Sequence, residues 1–350
     1  MKKNQNKKIG KQTIRFATPV RIAETSAIVG EKEGSGPLGK YFKKVIPEAT
    51  FGEDSWEQAE SKFVNENMKV LIEKSGLEKE EIDYILCGDL LNQCSASTFG
   101  VAPLEIPFFG LFGACSTMGE SMSLGAILID GGFATHTIAG ASSHFCAAEK
   151  QFRTPLPVGN QRPPTTTWTV TGAGAVLLTK SGDYPLITHV TTGKVVDMGI
   201  TDPNNMGAAM APAAADLIIA HFQDTGTEPK DYDWIVTGDL GDVGKQLLIR
   251  LVAEANYSLI PEKTTDCGIE IFDDDSQDTH CGGSGCACSA VTFASFFYPK
   301  LCSGEIEKML FVPTGALMST TTAGQGLSIP AIAHGLVIEG RKNKKGDVDN

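Results

Sequence analysis

The chain has 350 residues, of which 21% are charged and 41% hydrophobic, and 42 acidic against 30 basic side chains give it a net charge of −12 at pH 7. This composition predicts a folded globular protein with a large core and excludes an intrinsically disordered chain. The acidic balance argues against nucleic-acid binding by the body of the protein, so an anionic ligand would need a locally positive pocket.

The cysteines and the acidic clusters give no sign of a metal site. Nine cysteines, an odd number in apolar or glycine-rich surroundings, indicate reduced thiols in a cytosolic compartment. The close trio Cys281, Cys286 and Cys288 matches no usual zinc spacing, and the aspartates between 273 and 278 lack the glycine and glutamate of an EF-hand loop. We therefore predict no metal ligands in the chain.

The sequence contains no candidate membrane span. No stretch approaches about 18 consecutive apolar residues, and no signal-peptide core follows the N-terminal lysines. Residues 1–11 carry five lysines and no acid, which predicts a disordered tail, with contact to anionic lipid headgroups as the alternative. Any membrane attachment is expected to be peripheral or through a partner.

Spacing of apolar residues, glycines and prolines predicts the elements of the first half. The expected helix at 53–75 ends at Gly76, and a long irregular loop or flap is expected from 144 to 169. A glycine- and proline-rich loop is expected at 30–39. The predicted strands lie at 13–20, 82–86, 106–112, 137–141 and 169–179.

The stretch 112–132 is the one around which we expect the chain to be organised. An apolar run enters a Gly-Ala-Cys-Ser turn, and small and apolar residues then continue to Ile129, which predicts a strand, a sharp turn and a buried helix. Ser116 or Thr117 suits the helix start, so Cys115 should lie at a helix N-terminus, where the macrodipole favours a thiolate. We therefore predict a lowered thiol pKa and fast alkylation. The alternative is that Cys115 is a small buried core residue.

The second half repeats the first in outline, because five elements recur in the same order. The recurring segments are 210–222, 232–240, 283–297, 309–317 and 332–339, which correspond in turn to 53–75, 84–90, the helix after 113, 137–141 and 173–179. This order predicts two similar α/β halves with a site where strand carboxyl ends and buried-helix N-termini meet. We place the halves at 12–180 and 181–339, followed by a charged tail at 340–350.

Several long segments carry a family resemblance. They read GDLLNQ (88–93), LFGACST (111–117), ILIDGGF (127–133), SSHF with QFR (142–153), DMGITDPNNMGAAMAPAAAD (197–216), CGGSGCACSA (281–290) and SIPAIAHGLVIE (328–339). Together they resemble the stage V sporulation protein AD family of the thiolase superfamily, from about residue 10 to about residue 339. The resemblance implies a thiolase-like fold in which two duplicated α/β halves form a five-layered αβαβα arrangement.

The resemblance also implies a role in endospore formation and the binding of dipicolinic acid on its way into the forespore. It implies a homodimer and other membrane proteins of the same sporulation transport system as partners. The expected location is cytoplasmic, with peripheral association to the forespore or spore inner membrane through those partners. No cofactor is expected, although calcium can accompany the ligand as a chelate.

The residues that a condensing thiolase relative needs are incomplete here. Such relatives pair a nucleophilic cysteine with two further polar groups, usually His with His or Asn. Cys115 stands at the nucleophile position, but Asp239 and Ser284 stand at the partner positions. An aspartate is a weak base and a serine a neutral donor, which favours a ligand-binding protein without condensing activity. A Cys115-dependent acyltransferase or ketoacyl-synthase-like enzyme, and a purely structural subunit of a membrane transport assembly, are the alternatives.

The predicted ligand site combines the turn at Cys115 with donors from both halves. His334 is a possible base for Cys115 or a core histidine, and His144 is a donor or only orders the following loop. Arg153 is a carboxylate clamp or a surface arginine. Backbone N–H groups at 113–116 and 283–285 are expected to donate to an anion. The full predicted set is Cys115, Ser116, His144, Arg153, Asp239, Ser284, Gly285, His334 and Gly335.

Overall fold

The computed structural model describes residues 7–153 and 162–341. The strands in these ranges are β1 (Lys8–Ile9), β2 (Thr13–Gly30), β3 (Lys44–Ile46), β4 (Tyr84–Gly88), β5 (Phe108–Gly110), β6 (His136–Ser143), β7 (Trp168–Thr169), β8 (Gly172–Thr179), β9 (Leu186–Thr192), β10 (Trp234–Thr237), β11 (Thr264–Asp266), β12 (Gly283–Ser284), β13 (Lys308–Val312), β14 (Thr314–Ala316) and β15 (Ala331–Glu339). The helices are α1 (Glu31–Gly34), α2 (Trp56–Ser75), α3 (Ser95–Val101), α4 (Thr117–Gly131), α5 (Phe145–Phe152), α6 (Met206–Thr225), α7 (Gly241–Glu254), α8 (Cys267–Ile271), α9 (Asp274–Gln277), α10 (Cys286–Thr292), α11 (Tyr298–Ser303) and α12 (Thr320–Gly324).

The strand order shows that the chain consists of two topologically equivalent halves. Across the described ranges, the main path of the sheet is β11-β10-β13-β15-β9-β2-β8-β6-β4-β5. In each half the central strand is parallel to two neighbours, β5 and β6 beside β4, and β11 and β13 beside β10. The remaining pairs along this main path are antiparallel, including the pair β2 and β9 that joins the halves. The predicted duplication is therefore confirmed.

Helices cover and separate the two halves of the sheet. Helix α2 packs on β2 and β8 and α6 packs on β15, so each half has an outer helical layer. Helix α4 contacts strands of both halves and also contacts α10, which places these two helices in the central layer. Small residues allow this close packing: a Cβ added at Gly125 would lie 2.8 Å from the Thr137 hydroxyl oxygen. The layers follow the predicted αβαβα order.

The N-terminal tail is partly ordered, contrary to our expectation for residues 1–11. Strand β1 pairs with the start of β2, and the Lys7 ammonium lies 2.8 Å from the Asp130 carboxylate. The Asp224 carboxylate accepts the backbone N–H groups of Lys11, Gln12 and Thr13 at 2.8 to 3.0 Å. These bonds fix the chain from residue 7 onward, while residues 1–6 lie outside the described ranges.

Four predicted segments differ from the structure in length or type. The strand expected at 13–20 continues to Gly30, because β2 pairs first with β9 and then with β8 around irregularities in register. The expected loop 30–39 contains α1, and the expected flap 144–169 contains α5, which is too short for a clear helical period. The second buried helix, expected at 283–297, begins later at Cys286 and passes through a π-helical turn at Phe293–Phe297 into α11, which ends at Ser303.

Candidate active site cavity

A cavity of about 310 Å³ lies beside the N-terminal ends of α4 and α10 and one face of α5. Its walls are mostly apolar, and its polar groups come from several distant segments. The larger apolar side chains are Leu90, Phe112, Phe152, Met206, Met210 and Met318. The polar and charged residues are Cys115, Glu149, Arg153, Thr167, Thr169, Asn204, Asp239 and Ser284. Such a mixture of apolar walls and a few polar groups is typical of small-molecule sites.

Cys115 is held at the cavity by a tight turn before α4. Ala114 has a left-handed backbone, with φ 49°, which is uncommon for a residue other than glycine. The Ser116 hydroxyl donates to the Gly113 carbonyl oxygen at 2.7 Å, and the Thr117 hydroxyl donates to the Ala114 carbonyl oxygen at 2.6 Å. The helix begins after Ser116, as predicted. The turn therefore directs a half-buried thiol into the cavity.

Asp239 is the polar group that faces Cys115. The Asp239 carboxylate accepts the Gly285 backbone N–H at 3.2 Å, the Thr314 hydroxyl at 3.1 Å and the Cys115 thiol. Burial, reinforced by the nearby Asp266 carboxylate, raises the pKa of Asp239 to about 7 despite these bonds. The carboxyl group of Asp239 is therefore about half protonated near neutral pH.

The predicted lowering of the Cys115 pKa is wrong. Burial raises the pKa of this thiol well above its ordinary value, and the Asp239 carboxylate raises it further. The macrodipole of α4 contributes only part of a positive charge, whereas Asp239 places a full negative charge within hydrogen-bond reach when it is ionised. Cys115 therefore exists as a thiol that donates a hydrogen bond, and not as an activated thiolate.

Arg153 directly follows α5 and lines the cavity, where a carboxylate clamp would have to lie. Its Nε atom lies 3.5 Å from the Glu149 carboxylate, one helical turn earlier, and the exposed fractions of the two side chains are 22% and 13%. Burial raises the pKa of Glu149, while Arg153 and Arg162 act in the opposite direction. Glu149 was absent from our predicted site, although its four-residue spacing from Arg153 was a usable signal.

Neither predicted histidine lines the cavity. His144 begins α5, where Nδ1 accepts the Ala147 N–H at 3.4 Å and Nε2 lies 2.7 Å from the Ala49 carbonyl oxygen. It thus orders the start of the helix, which was its alternative reading. His334 lies on β15 beside Gly119 of α4, and burial lowers its pKa to about 4. The ring of His334 is therefore neutral and does not face the cavity as a base for Cys115.

Several other predicted donors are already occupied. The Ser116 hydroxyl is used within the turn, and the Gly113 N–H points to the Thr117 hydroxyl oxygen at 3.2 Å. The Gly285 N–H donates to Asp239. A Cβ added at Gly335 would meet Leu217 of α6, so this glycine faces away from the cavity. Of the predicted set, the structure brings together Cys115, Arg153, Asp239, Ser284 and Gly285.

The cysteine trio has three separate environments. The Cys286 thiol donates to the Ala114 carbonyl oxygen at 2.9 Å, and the Cys288 thiol donates to the Gly238 carbonyl oxygen at 3.3 Å. The Cys281 sulfur accepts the Val243 N–H at 3.3 Å. Within residues 7–153 and 162–341, no three His, Cys, Asp or Glu side chains are grouped for a metal ion.

Comparison with known proteins identifies the family. The family described as "Stage V sporulation protein AD (SpoVAD)" matches residues 10–339. The chain belongs to this family. It is 44% identical over 330 residues to the stage V sporulation protein AD of Bacillus subtilis (strain 168), an alignment that covers 94% of this chain and 97% of that protein.

Solved structures show the same fold at low sequence identity. The 3-oxoacyl-[acyl-carrier-protein] synthase III of Aquifex aeolicus VF5 is 14% identical with a TM-score of 0.56, covering 91% of this chain and 99% of that protein. Cerulenin-bound OleA of Xanthomonas campestris is 14% identical with a TM-score of 0.57, covering 93% of this chain and 97% of that protein. The predicted thiolase-like fold is thus confirmed for this SpoVAD member.

Part of the cavity comes from a family segment that we had not assigned to the site. The segment 197–216, which carries part of the family resemblance and the start of the recurring helix 210–222, was absent from the predicted site. It contributes Pro203, Asn204, Met206 and Met210 to the cavity. Its run of Asp, Pro and Asn before an alanine-rich helix was a usable signal for a functional loop that ends at a helix cap. In the structure the Asn205 side chain forms this cap by accepting the Ala208 N–H.

Among the described residues, no helix has the length and apolar composition needed to span a membrane.

Proposed function

We propose that this SpoVAD family member binds dipicolinic acid and takes part in its uptake into the developing forespore, through a remnant thiolase-type cavity without condensing activity. The main support is the cavity itself, where Arg153 lies among apolar walls and the Cys115 thiol is paired with Asp239. Such a cavity offers recognition of an anion with an apolar body, and its thiol is not activated as a nucleophile.

The chemistry of the ligand matches these groups. Dipicolinate is a rigid planar ring with two carboxylates flanking the ring nitrogen. The apolar walls suit the ring faces, and the Arg153 guanidinium can donate to one carboxylate, a charge-assisted contact typically contributing about 1.5 to 3 kcal/mol. Ser284 and Asn204 provide neutral donors within the same cavity, whereas the hydrogen of the Cys115 thiol is already donated to Asp239. Protonated Asp239 adds a further donor below its pKa of about 7.

The same observations argue against the alternative of a condensing acyltransferase. A thiol whose pKa is raised by burial is almost entirely un-ionised at neutral pH and is therefore a poor nucleophile. The Gly285 N–H donates to Asp239 and is therefore not available to stabilise an oxyanion. We expect that incubation with acyl-CoA gives no adduct by intact mass measurement. An adduct that is lost in Cys115→Ala would establish chemistry at this residue.

The partners and the location are part of the same proposal. We expect the protein to be cytoplasmic and recruited to the forespore or spore inner membrane by other membrane proteins of the same sporulation transport system, which the net charge of −12 and the lack of a spanning helix among the described residues support. We also expect a homodimer. Its support is β5, which ends the sheet and is followed by Phe112, while Phe109 and Phe112 are 47% and 48% exposed.

Calorimetric titration of the full chain with dipicolinate, with and without calcium, tests the proposal. We expect saturable binding with one ligand per chain, and tighter binding in calcium would identify the chelate as the preferred form. The matched control ligand is isophthalate, which keeps both carboxylates and replaces the ring nitrogen with a carbon. A heat profile equal to buffer dilution would refute dipicolinate binding and favour the purely structural role.

A further inference from the structure

The charges that line the cavity do not suit an anion as they stand. Among the described lining residues, two carboxylates, Glu149 and Asp239, accompany one cation, Arg153. Asp239 loses about half of its charge near neutral pH, because its pKa is about 7. The Glu149 carboxylate lies beside Arg153, which is the only cation among the described lining residues. A ligand carboxylate must therefore compete with Glu149.

The geometry of Glu149 and Arg153 defines that competition. Both project from α5 into the cavity, with the guanidinium Nε 3.5 Å from the carboxylate Oε1 and with both side chains largely removed from solvent. In such surroundings the neighbouring charge cancels much of the attraction that Arg153 exerts on a second anion. Glu149 thus occupies one side of the guanidinium and weakens its field toward the rest of the cavity.

The other groups around Glu149 decide what happens when Arg153 turns to a ligand. Arg162, from the segment before β7, lowers the pKa of Glu149, and the Cys146 thiol lies nearby on α5 itself. Cys115 and Asp239 are the other titratable groups lining the cavity in the described ranges. Burial already raises the pKa of Glu149, so a loss of contact with Arg153 favours uptake of a proton from solvent.

We propose that Glu149 is an internal competitor for Arg153, which a ligand carboxylate displaces, and that Glu149 takes up a proton when this exchange occurs. The inference rests on the proposed dipicolinate binding and assigns Glu149 a positioning role in it. On this proposal, the affinity for dipicolinate depends on neutralisation of the negative charge of Glu149 on α5. The net effect is a site that weakens as the pH rises, without any change in the ligand, whose carboxylates are ionised throughout.

The test is calorimetry with dipicolinate near pH 7, with a chelator present, in two buffers that differ in ionisation enthalpy. Glu149→Gln should bind at least about tenfold more tightly than the wild type and should take up fewer protons on binding. Glu57→Gln is the matched control, because Glu57 pairs with Lys150 of the same helix at 2.7 Å and does not line the cavity. It should bind like the wild type. The gain from Glu149→Gln should disappear when Arg153→Gln is also present.

The outcomes separate this inference from the proposed function. Equal affinity and equal proton uptake in the wild type and Glu149→Gln would overturn the inference and leave dipicolinate binding intact. Weaker binding by Glu149→Gln would also overturn it, because Glu149 would then contact the ligand favourably. If neither protein binds dipicolinate at millimolar concentration, the proposed function is wrong and the inference falls with it.

Discussion

Replacing Asp239 with Asn should change how the stability of the protein depends on pH. The carboxyl group is 1% exposed, and raising its pKa from an ordinary 3.8 to about 7 corresponds to an ionisation cost of about 4 kcal/mol in the folded state. Because the folded pKa lies above the unfolded pKa, the wild type loses stability from this group as the pH rises from about 4 to about 7, and the loss then levels off. An asparagine has no such cost.

The magnitude can be stated as a difference between two pH values. Between pH 5 and pH 8, the free energy of unfolding of Asp239→Asn should rise relative to that of the wild type by about 2.5 kcal/mol, given the pKa of about 7. A constant offset of about 1 kcal/mol in the other direction is expected, because the amide replaces one acceptor oxygen among the bonds to Gly285 and Thr314. The variant should therefore be clearly more stable at pH 8.

Urea unfolding of both proteins at several pH values, followed by fluorescence of the three tryptophans, measures this difference. Asp275→Asn is the control, since Asp275 is exposed on α9 and does not line the cavity. Parallel stability curves for the wild type and Asp239→Asn would show that Asp239 ionises in the folded protein as it does in water. That result would also remove protonated Asp239 as a hydrogen-bond donor to a ligand near neutral pH.

Three further outcomes follow from the cavity. Iodoacetamide should label Cys115 no faster than the half-buried Cys302 near neutral pH, because burial and Asp239 raise the pKa of the Cys115 thiol. Peptide mapping that finds Cys115 labelled first would contradict this. Arg153→Ala should weaken dipicolinate binding at least about tenfold in calorimetric titration, with Asp275→Asn unchanged as control; an unaltered Arg153→Ala titration would place the ligand elsewhere. Cys115→Trp should fill the cavity and abolish binding while circular dichroism stays native, and retained affinity in this variant would refute the cavity as the site.

The parts of the fold that were predictable depend on local signals. Helix α2 begins at the cap residue Ser55 and ends before Gly76, which has a left-handed backbone with φ 69°, and both signals are visible in the sequence. Helix α5 was missed because two turns after His144 give too little periodicity. The duplication was predictable because recurring small-residue and apolar segments preserve their order, whatever the details of each strand.

The site was predictable only where residue type alone decides the role. The charge of Arg153 disfavours its burial in the core, and in the structure this residue lines the cavity. Asp239 comes two residues after the end of β10 and also lines the cavity. The pKa of Cys115 depends on what lies opposite it across the cavity, which no local pattern contains. The same is true of His334, whose position on β15 directs it toward Gly119 and not toward the thiol.

The antiparallel pairing of β2 with β9 limits how the cavity can open. Thr13, Ile14 and Arg15 pair with Thr191, Val190 and His189, so backbone hydrogen bonds join the two halves along a shared ladder. A clamshell motion that parted the halves would break these bonds and expose the buried strands on both sides. We therefore expect a ligand to reach Cys115 through local movements of side chains and loops at the cavity mouth, without a hinge motion between the halves.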